Sequence, residues 1–408
     1  MGAGLAALAM AALGPDLAAA QAAGAPATVG GPDKPFTIGL QAITGFESNP
    51  ARGSAENAAI RGIKPDEVTF SPSVTATYSH SVGLQGVALN ADFGYDFHSR
   101  NNLLSREHLD LSLAGNIAVG AFCSVGGDGA YHRGQSELQY LTVDVTQNTI
   151  QTYRIEGSER CGTSSGLTES VSLSHASTQN SNATLTNYDV NGVTGMLGYS
   201  NATLGTVGVT LSYDRTGYGA APVTGSTTPE RLEVTSIGVQ LARPIGARLT
   251  GTASVSYSHS ADEARPGALV AARDFNGLTT SVSLTYVAGP RLQLSTDVER
   301  RVSATLLQGV GYSVVTSAGL SADYTVSSRI TASIGGSWLH TDNKGRDPLL
   351  ALTTPGWQEL TTLFARATTK IGRSSAVSLE YRHLQGRSDL SLYDYVSNYV
   401  GLTLSTSF

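Results

Sequence analysis

The sequence predicts an all-β fold: a closed antiparallel transmembrane β-barrel of about eighteen strands, with sixteen the alternative count. Three observations predict it. Segments of roughly ten residues put apolar side chains on one face and small hydroxylated ones on the other. The connections between them are alternately short and long. Charged residues make up only 14% of the chain, against about 25% in soluble domains, yet apolar residues reach only 40%. That balance fits neither an ordinary soluble surface nor a helical membrane protein, since no run of about 18 apolar residues follows the N-terminal stretch. The 46 glycines and 3 methionines suit many strands and tight turns. A net charge of -6 offers no basic stripe for nucleic acid, so nucleic acid is not an expected partner.

Residues 1–22 read as a secretory signal peptide rich in Ala and Leu, with small-x-small cleavage sites at Ala18 to Ala20 and Ala20 to Ala22. No Lys or Arg precedes its apolar part, and Pro15 and Asp16 interrupt it, departures that a start codon further upstream would explain. Residues 23–35 form a short Gly/Pro/Ala leader, and the barrel occupies 36–408.

The first strand is expected at Thr37 to Phe46, and a long polar segment runs from Glu47 to Asp66. The second shows the pattern most cleanly: Val68, Phe70, Pro72, Val74, Ala76 and Tyr78 alternate with Thr69, Ser71, Ser73, Thr75, Thr77 and Ser79. A helix would scatter these around its circumference, whereas a strand sorts them into two faces. The third sets Val87, Leu89, Ala91, Phe93, Tyr95 and Phe97 against Asn90, Asp92, Gly94, Asp96 and His98. Further strands are predicted at 108–115, 119–133, 149–161, 168–178, 189–200, 206–216, 233–242, 248–260, 275–286, 291–302, 312–324, 329–340, 359–370, 376–384 and 395–408. Alternation is poorest from Gly134 to Gly166.

Pro244 to Ala247, Val287 to Pro290, Thr325 to Ser328 and Ile371 to Ser375 are short connections. Gly217 to Arg231, Ala261 to Asp274, Thr341 to Gln358 and Gln385 to Asp394 are long. Outer-membrane barrels have short periplasmic turns and longer extracellular loops, so this alternation gives each strand a direction and puts both chain ends on the periplasmic side. On that map Tyr78, Tyr199, Tyr286, Tyr324 and Phe408 fall near the periplasmic rim. Phe97, Tyr213, Tyr257, Trp338 and Tyr381 fall near the outer one, giving two aromatic girdles. A soluble sandwich of so many strands would need larger core residues than the Val, Ala and Leu present here.

A lumen enclosed by eighteen strands is wide enough for water unless loops or side chains fill it. Its lining is predicted as Ser, Thr and Gly interspersed with charge, with Asp92, Asp96, Asp297, Glu299, Arg301, Glu380 and Arg382 the leading candidates. Asp110, Glu156, Asp214, Asp323, Arg154 and Arg291 are expected beside them. Carboxylates outnumber arginines, which favours a neutral to mildly cation-preferring interior. Facing acids and bases could equally serve only to hold the wall together. The paired Cys123 and Cys161 fall near the periplasmic ends of neighbouring strands, where a disulfide is expected in an oxidising compartment; two inert thiols are the alternative. The 8 histidines are scattered without metal spacing. His98, His132, His259, His340 and His383 lie near outer strand ends. Asp96 with His98 is the one acid and imidazole pair that suggests hydrolysis, so no enzyme activity, metal or cofactor is expected.

The last strand alternates Val400, Leu402, Leu404, Thr406 and Phe408 with Tyr399, Gly401, Thr403, Ser405 and Ser407. This ending resembles the C-terminal signature of bacterial outer-membrane β-barrels. The resemblance implies that Phe408 is an assembly signal read by the barrel-assembly machinery. With the exported leader, the evenly spaced strands and the two cysteines in the first half, residues 36–408 resemble the outer-membrane β-barrel porin families of proteobacteria. They look most like the group encoded beside exopolysaccharide genes. The resemblance implies an outer-membrane location, contact with lipid and lipopolysaccharide, and passage of small hydrophilic solutes or polysaccharide. The acidic constriction-loop pattern of general trimeric porins is not recognisable. The alternative functions are a closed structural or adhesion barrel with partner-binding outer loops, and an outer-membrane hydrolase.

Overall fold

Period-two sorting of side chains leaves each segment one stable arrangement in lipid, a strand whose backbone groups all pair with neighbours. The computed structural model describes residues 35–141, 145–163, 165–201, 205–219, 230–245, 248–263, 274–307, 309–350 and 352–408. The expected signal peptide and nearly all of the leader lie outside these residues, as do much of the long loops predicted at 217–231 and 261–274. The strands are β1 (Phe36–Glu47), β2 (Glu67–Val82), β3 (Gln85–His98), β4 (Arg106–Val119), β5 (Cys123–Gln135) and β6 (Thr149–Gly162). They continue with β7 (Gly166–Asn180), β8 (Tyr188–Asn201), β9 (Gly205–Tyr218), β10 (Arg231–Ile245), β11 (Leu249–Glu263) and β12 (Asn276–Val287). The last are β13 (Leu292–Ser303), β14 (Tyr312–Thr325), β15 (Ile330–Lys344), β16 (Trp357–Ile371), β17 (Ser375–Ser388) and β18 (Tyr395–Ser407). All belong to one 18-stranded sheet. β1 closes it against β18 in a register running from Gly39↔Ser407 to Glu47↔Tyr399, so no strand edge is left to face lipid.

Eighteen strands spaced about 4.8 Å and tilted about 40° give a circumference of roughly 110 Å and a backbone diameter of about 36 Å. A strand of 14 residues such as β4, at that tilt, spans about 35 Å along the barrel axis, enough for an apolar band of about 25 Å.

The outward rows are apolar and bare. Leu211, Val239, Leu320 and Leu404 stand 50–62% exposed, an arrangement that only a lipid surround makes favourable. Tyr199, Tyr286, Tyr324 and Phe408 on the short-turn side, and Phe97, Tyr213, Tyr257, Trp338 and Tyr381 on the long-loop side, also point outward. The strand expected to begin at 119 differs. β4 runs on through Ile117 and Val119, both outward, and the chain turns at 120–122, where Gly120 adopts φ +66°.

The wall itself holds little buried apolar surface. Instead the compact clusters lie among the long loops and at the strand ends that carry them. Ala51, Ile63, Leu104, Leu138, Leu141, Val145 and Leu185 form one, each 0–6% exposed. Tyr218, Leu232, Phe275, Tyr312 and Val314 form another.

Candidate functional site

The candidate site is the lumen together with its extracellular mouth. Inward rows alternate with the lipid-facing ones, and cross-strand register decides which of their charges meet. Asp92 stands directly opposite Asp110, and Asp110 opposite His132. Like charges in register repel, and two imidazoles relieve this row. His108 places Nε2 3.4 Å from Asp92 and Nδ1 3.2 Å from Asp96. His132 Nδ1 lies 2.6 Å from Asp110. Next along the wall Arg154 pairs with Glu156.

On β13, Asp297, Glu299 and Arg301 share the inward row, with Arg301 Nε 3.2 Å from Glu299. On β16–β18, Glu380 holds two arginines, Arg366 Nε at 2.7 Å and Arg382 Nε at 2.7 Å. The Arg382 guanidinium also lies over the Tyr399 ring, 4.6 Å from its centre. The structure thus places Asp92, Asp96, Asp297, Glu299, Arg301, Glu380 and Arg382 on inward rows, most of them in local pairs of opposite sign. Arg291 instead falls in the turn before β13. Arg366 was not among the expected charges, because Phe364 beside it also faces inward and blurs the alternation. His108 and Asp110 stand two apart on one face, a signal the sequence does carry.

Asp96 and His98 do not pair with each other. His98 Nδ1 lies 2.8 Å from Glu67 Oε1, and Asp96 is engaged by His108. Glu67 is buried and also accepts from Asn101 Nδ2 at 3.0 Å, so this imidazole anchors the base of the first long loop.

Residues 48–66, expected as a polar loop, form the hub of the mouth. They contain the helix α1 (Ala55–Ile60), capped by Ser54, whose side chain accepts from Asn57 N–H. Ser54 N–H and Asn57 Nδ2 donate to the Leu392 carbonyl between β17 and β18. Arg61, 4% exposed, donates to the carbonyls of Ala51 (2.9 Å), Leu138 (2.9 Å) and Leu141 (3.0 Å). Leu138 and Leu141 belong to the segment after β5, which leaves the wall and folds inward. Its Gln139 accepts from Arg52 at 2.9 Å and from Tyr395 Oη of β18 at 3.3 Å, and its backbone carbonyl accepts from Gln358 of β16 at 3.3 Å. A second inward segment follows β13. Thr186 N–H, between β7 and β8, donates to Leu306 at 3.1 Å, and Tyr218 Oη donates to Gly311 at 3.2 Å. Contacts between loops of such distant strands mean that, among the described residues, these two segments reach across the mouth and narrow it.

At the other rim Cys123 and Cys161 are joined by a disulfide, directly opposite each other in β5 and β6 with Cα atoms 4.1 Å apart. Both lie on the outward row.

Comparison with known proteins finds a family similarity in the second half of the chain. Residues 233–408 match the family model described as "Putative beta-barrel porin 2". The chain is a bacterial outer-membrane β-barrel. From β10 to β18 this barrel carries the sequence pattern of that porin family. Among solved structures it is similar to a BenF-like porin from Pseudomonas fluorescens Pf-5, with 11% identity, 92% of this chain and 99% of that one covered, and a TM-score of 0.47. It is similar too to OccK2 (OpdF) of Pseudomonas aeruginosa in complex with glucuronate, with 12% identity, coverage of 91% and 98%, and a TM-score of 0.46. The siderophore receptor PirA of Pseudomonas aeruginosa gives 10% identity, coverage of 93% and 81%, and 0.42. The barrel spans 60% of the ferric citrate transporter FecA, at 14% identity over 86% of this chain and a TM-score of 0.45. No curated protein sequence matches the chain.

Proposed function

We propose that this barrel is a non-enzymatic channel for hydrophilic solutes, narrowed at its extracellular mouth by inward-folded loops. The observation that carries the reading is the inward face, where hydroxyls and mutually paired charges replace the apolar row that faces lipid. Because Glu156, Glu299 and Glu380 each sit beside an arginine and Asp92, Asp96 and Asp110 each beside an imidazole, the field of the carboxylates along the path is moderated, which favours neutral or mildly cationic solutes. Passage of a polysaccharide is the extended form of the same reading and requires the roof to move aside. Lipid and lipopolysaccharide meet the outward rows, and the barrel-assembly machinery reads the β18 ending at Phe408.

The roof favours one second reading, a barrel whose lumen stays shut and whose outer loops bind a partner. Planar-bilayer recording separates the two. The channel reading expects discrete conductance steps from purified protein, and a folded barrel that gives none supports the closed one.

A further inference from the structure

Two arginines hold the loop 48–66, and they do so differently. Arg61 is buried and bonds to neutral carbonyls, a permanent joint. Arg52 is partly accessible and bonds to carboxylates. Its Nε lies 3.2 Å from Glu47 on the β1 wall, and a terminal nitrogen pairs with Glu137 of the crossing segment. The same group donates to Gln139 at 2.9 Å. One side chain therefore ties the wall, the loop and the inward segment together at the point where that segment meets β16 and β18.

The backbone at this point is strained. Among the described residues Arg52 is the one non-glycine with positive φ, at 48°, a region costly for L side chains and tolerated where the surroundings impose it. Gly53 comes next and could have taken the turn without strain. The residue that carries this backbone is the one whose guanidinium pairs with both Glu47 and Glu137.

We infer that residues 48–66 are a gate hinged at Arg61 and latched at Arg52, and that the mouth opens when Arg52 releases Glu137 and Gln139. The inference rests on the channel reading above. Closing stores backbone strain at residue 52, so the latch must be made anew at each closure and the open state is favoured once it breaks. The exposure of the pair, 18% for Arg52 and 32% for Glu137, lets salt compete with it.

The test is single-channel recording of wild type, Arg52→Ala, Arg52→Gly and Arg52→Lys, plus the double variant Arg52→Cys with Glu137→Cys. Folding of each is checked by heat-modifiable gel mobility. Arg52→Ala, which loses the latch and keeps the strain, is expected to raise the open fraction by roughly tenfold, the ratio that ~1.4 kcal/mol of lost closing energy produces, and Arg52→Gly, which loses both, to raise it less. Arg52→Lys, which keeps the charge without the fork, falls between. The cysteine pair stays shut until dithiothreitol is added, with wild type in the same reductant controlling for Cys123–Cys161. Conductance in wild type that is unchanged in Arg52→Ala, in Arg52→Gly and in the cross-linked protein overturns the latch and leaves the channel standing. Folded proteins that are all silent overturn the channel reading and the latch with it.

Discussion

Replacing Arg61 with alanine tests how the roof is held. The guanidinium is 4% exposed and supplies the donors for the Leu138 and Leu141 carbonyls of the crossing segment. Removing the guanidinium leaves the buried carbonyls of Ala51, Leu138 and Leu141 without their donor, at about 1–3 kcal/mol each and about 3–5 kcal/mol for the group. That cost falls on the loop cluster and not on the wall, whose ladder from β1 to β18 does not involve residue 61. Amide protection in 48–66 and 136–141 is therefore expected to drop by roughly two to three and a half powers of ten, at about 1.4 kcal/mol per tenfold. Protection in β10–β18 should be unchanged. Hydrogen exchange with mass spectrometry in lipid nanodiscs reads both regions at once. Equal protection of the loop segments in wild type and Arg61→Ala would refute the assignment of Arg61 as their joint.

Three other outcomes follow from named contacts. Val239→Arg, on the lipid face at 55% exposure, should destabilise the barrel by about 2–4 kcal/mol in urea unfolding from bilayers, while Gln240→Arg on the inward face should cost within about 1 kcal/mol. Serine at both Cys123 and Cys161, whose bridge spans a sequence separation of 38, should lose up to about 4 kcal/mol in the same assay through freer unfolded chains; no loss would show that the bridge does not restrain the unfolded barrel. Glu380→Gln leaves Arg366 and Arg382 without their shared carboxylate, so the reversal potential in a potassium chloride gradient should move toward chloride, and an unmoved potential would place that cluster off the ion path.

The wall was legible in the sequence because lipid and water divide it at every residue. Val68 to Tyr78 and Val400 to Phe408 could alternate only as strands, and turn lengths then gave direction. The strand boundary near Val119 was misplaced because Gly115 interrupts the outward row between Leu113 and Ile117, so the row looks finished two turns of the pleat too early. The roof was not legible. Residues 47–66 are polar in composition, and the handful of apolar side chains that bury, Ala51 and Ile63 among them, show no period. Their partners Leu138, Leu141 and Leu185 lie in other loops, so only the closed barrel brings them together. The paired charges were half legible: facing parity placed Asp92, Glu299 and Glu380 inward, but His108 as the bridge between Asp92 and Asp96 depends on the β3–β4 register.

The central claim is that one face of every strand touches acyl chains and the other encloses water. Single cysteines at 236 to 241 along β10, in a background with serine at 123 and 161, test it residue by residue. Fluorophores at 237, 239 and 241 should be quenched by brominated lipid, and thiols at 236, 238 and 240 should react with a water-soluble reagent while escaping that quenching. Quenching without alternation, or with its phase reversed, would contradict the barrel's division between lipid and lumen.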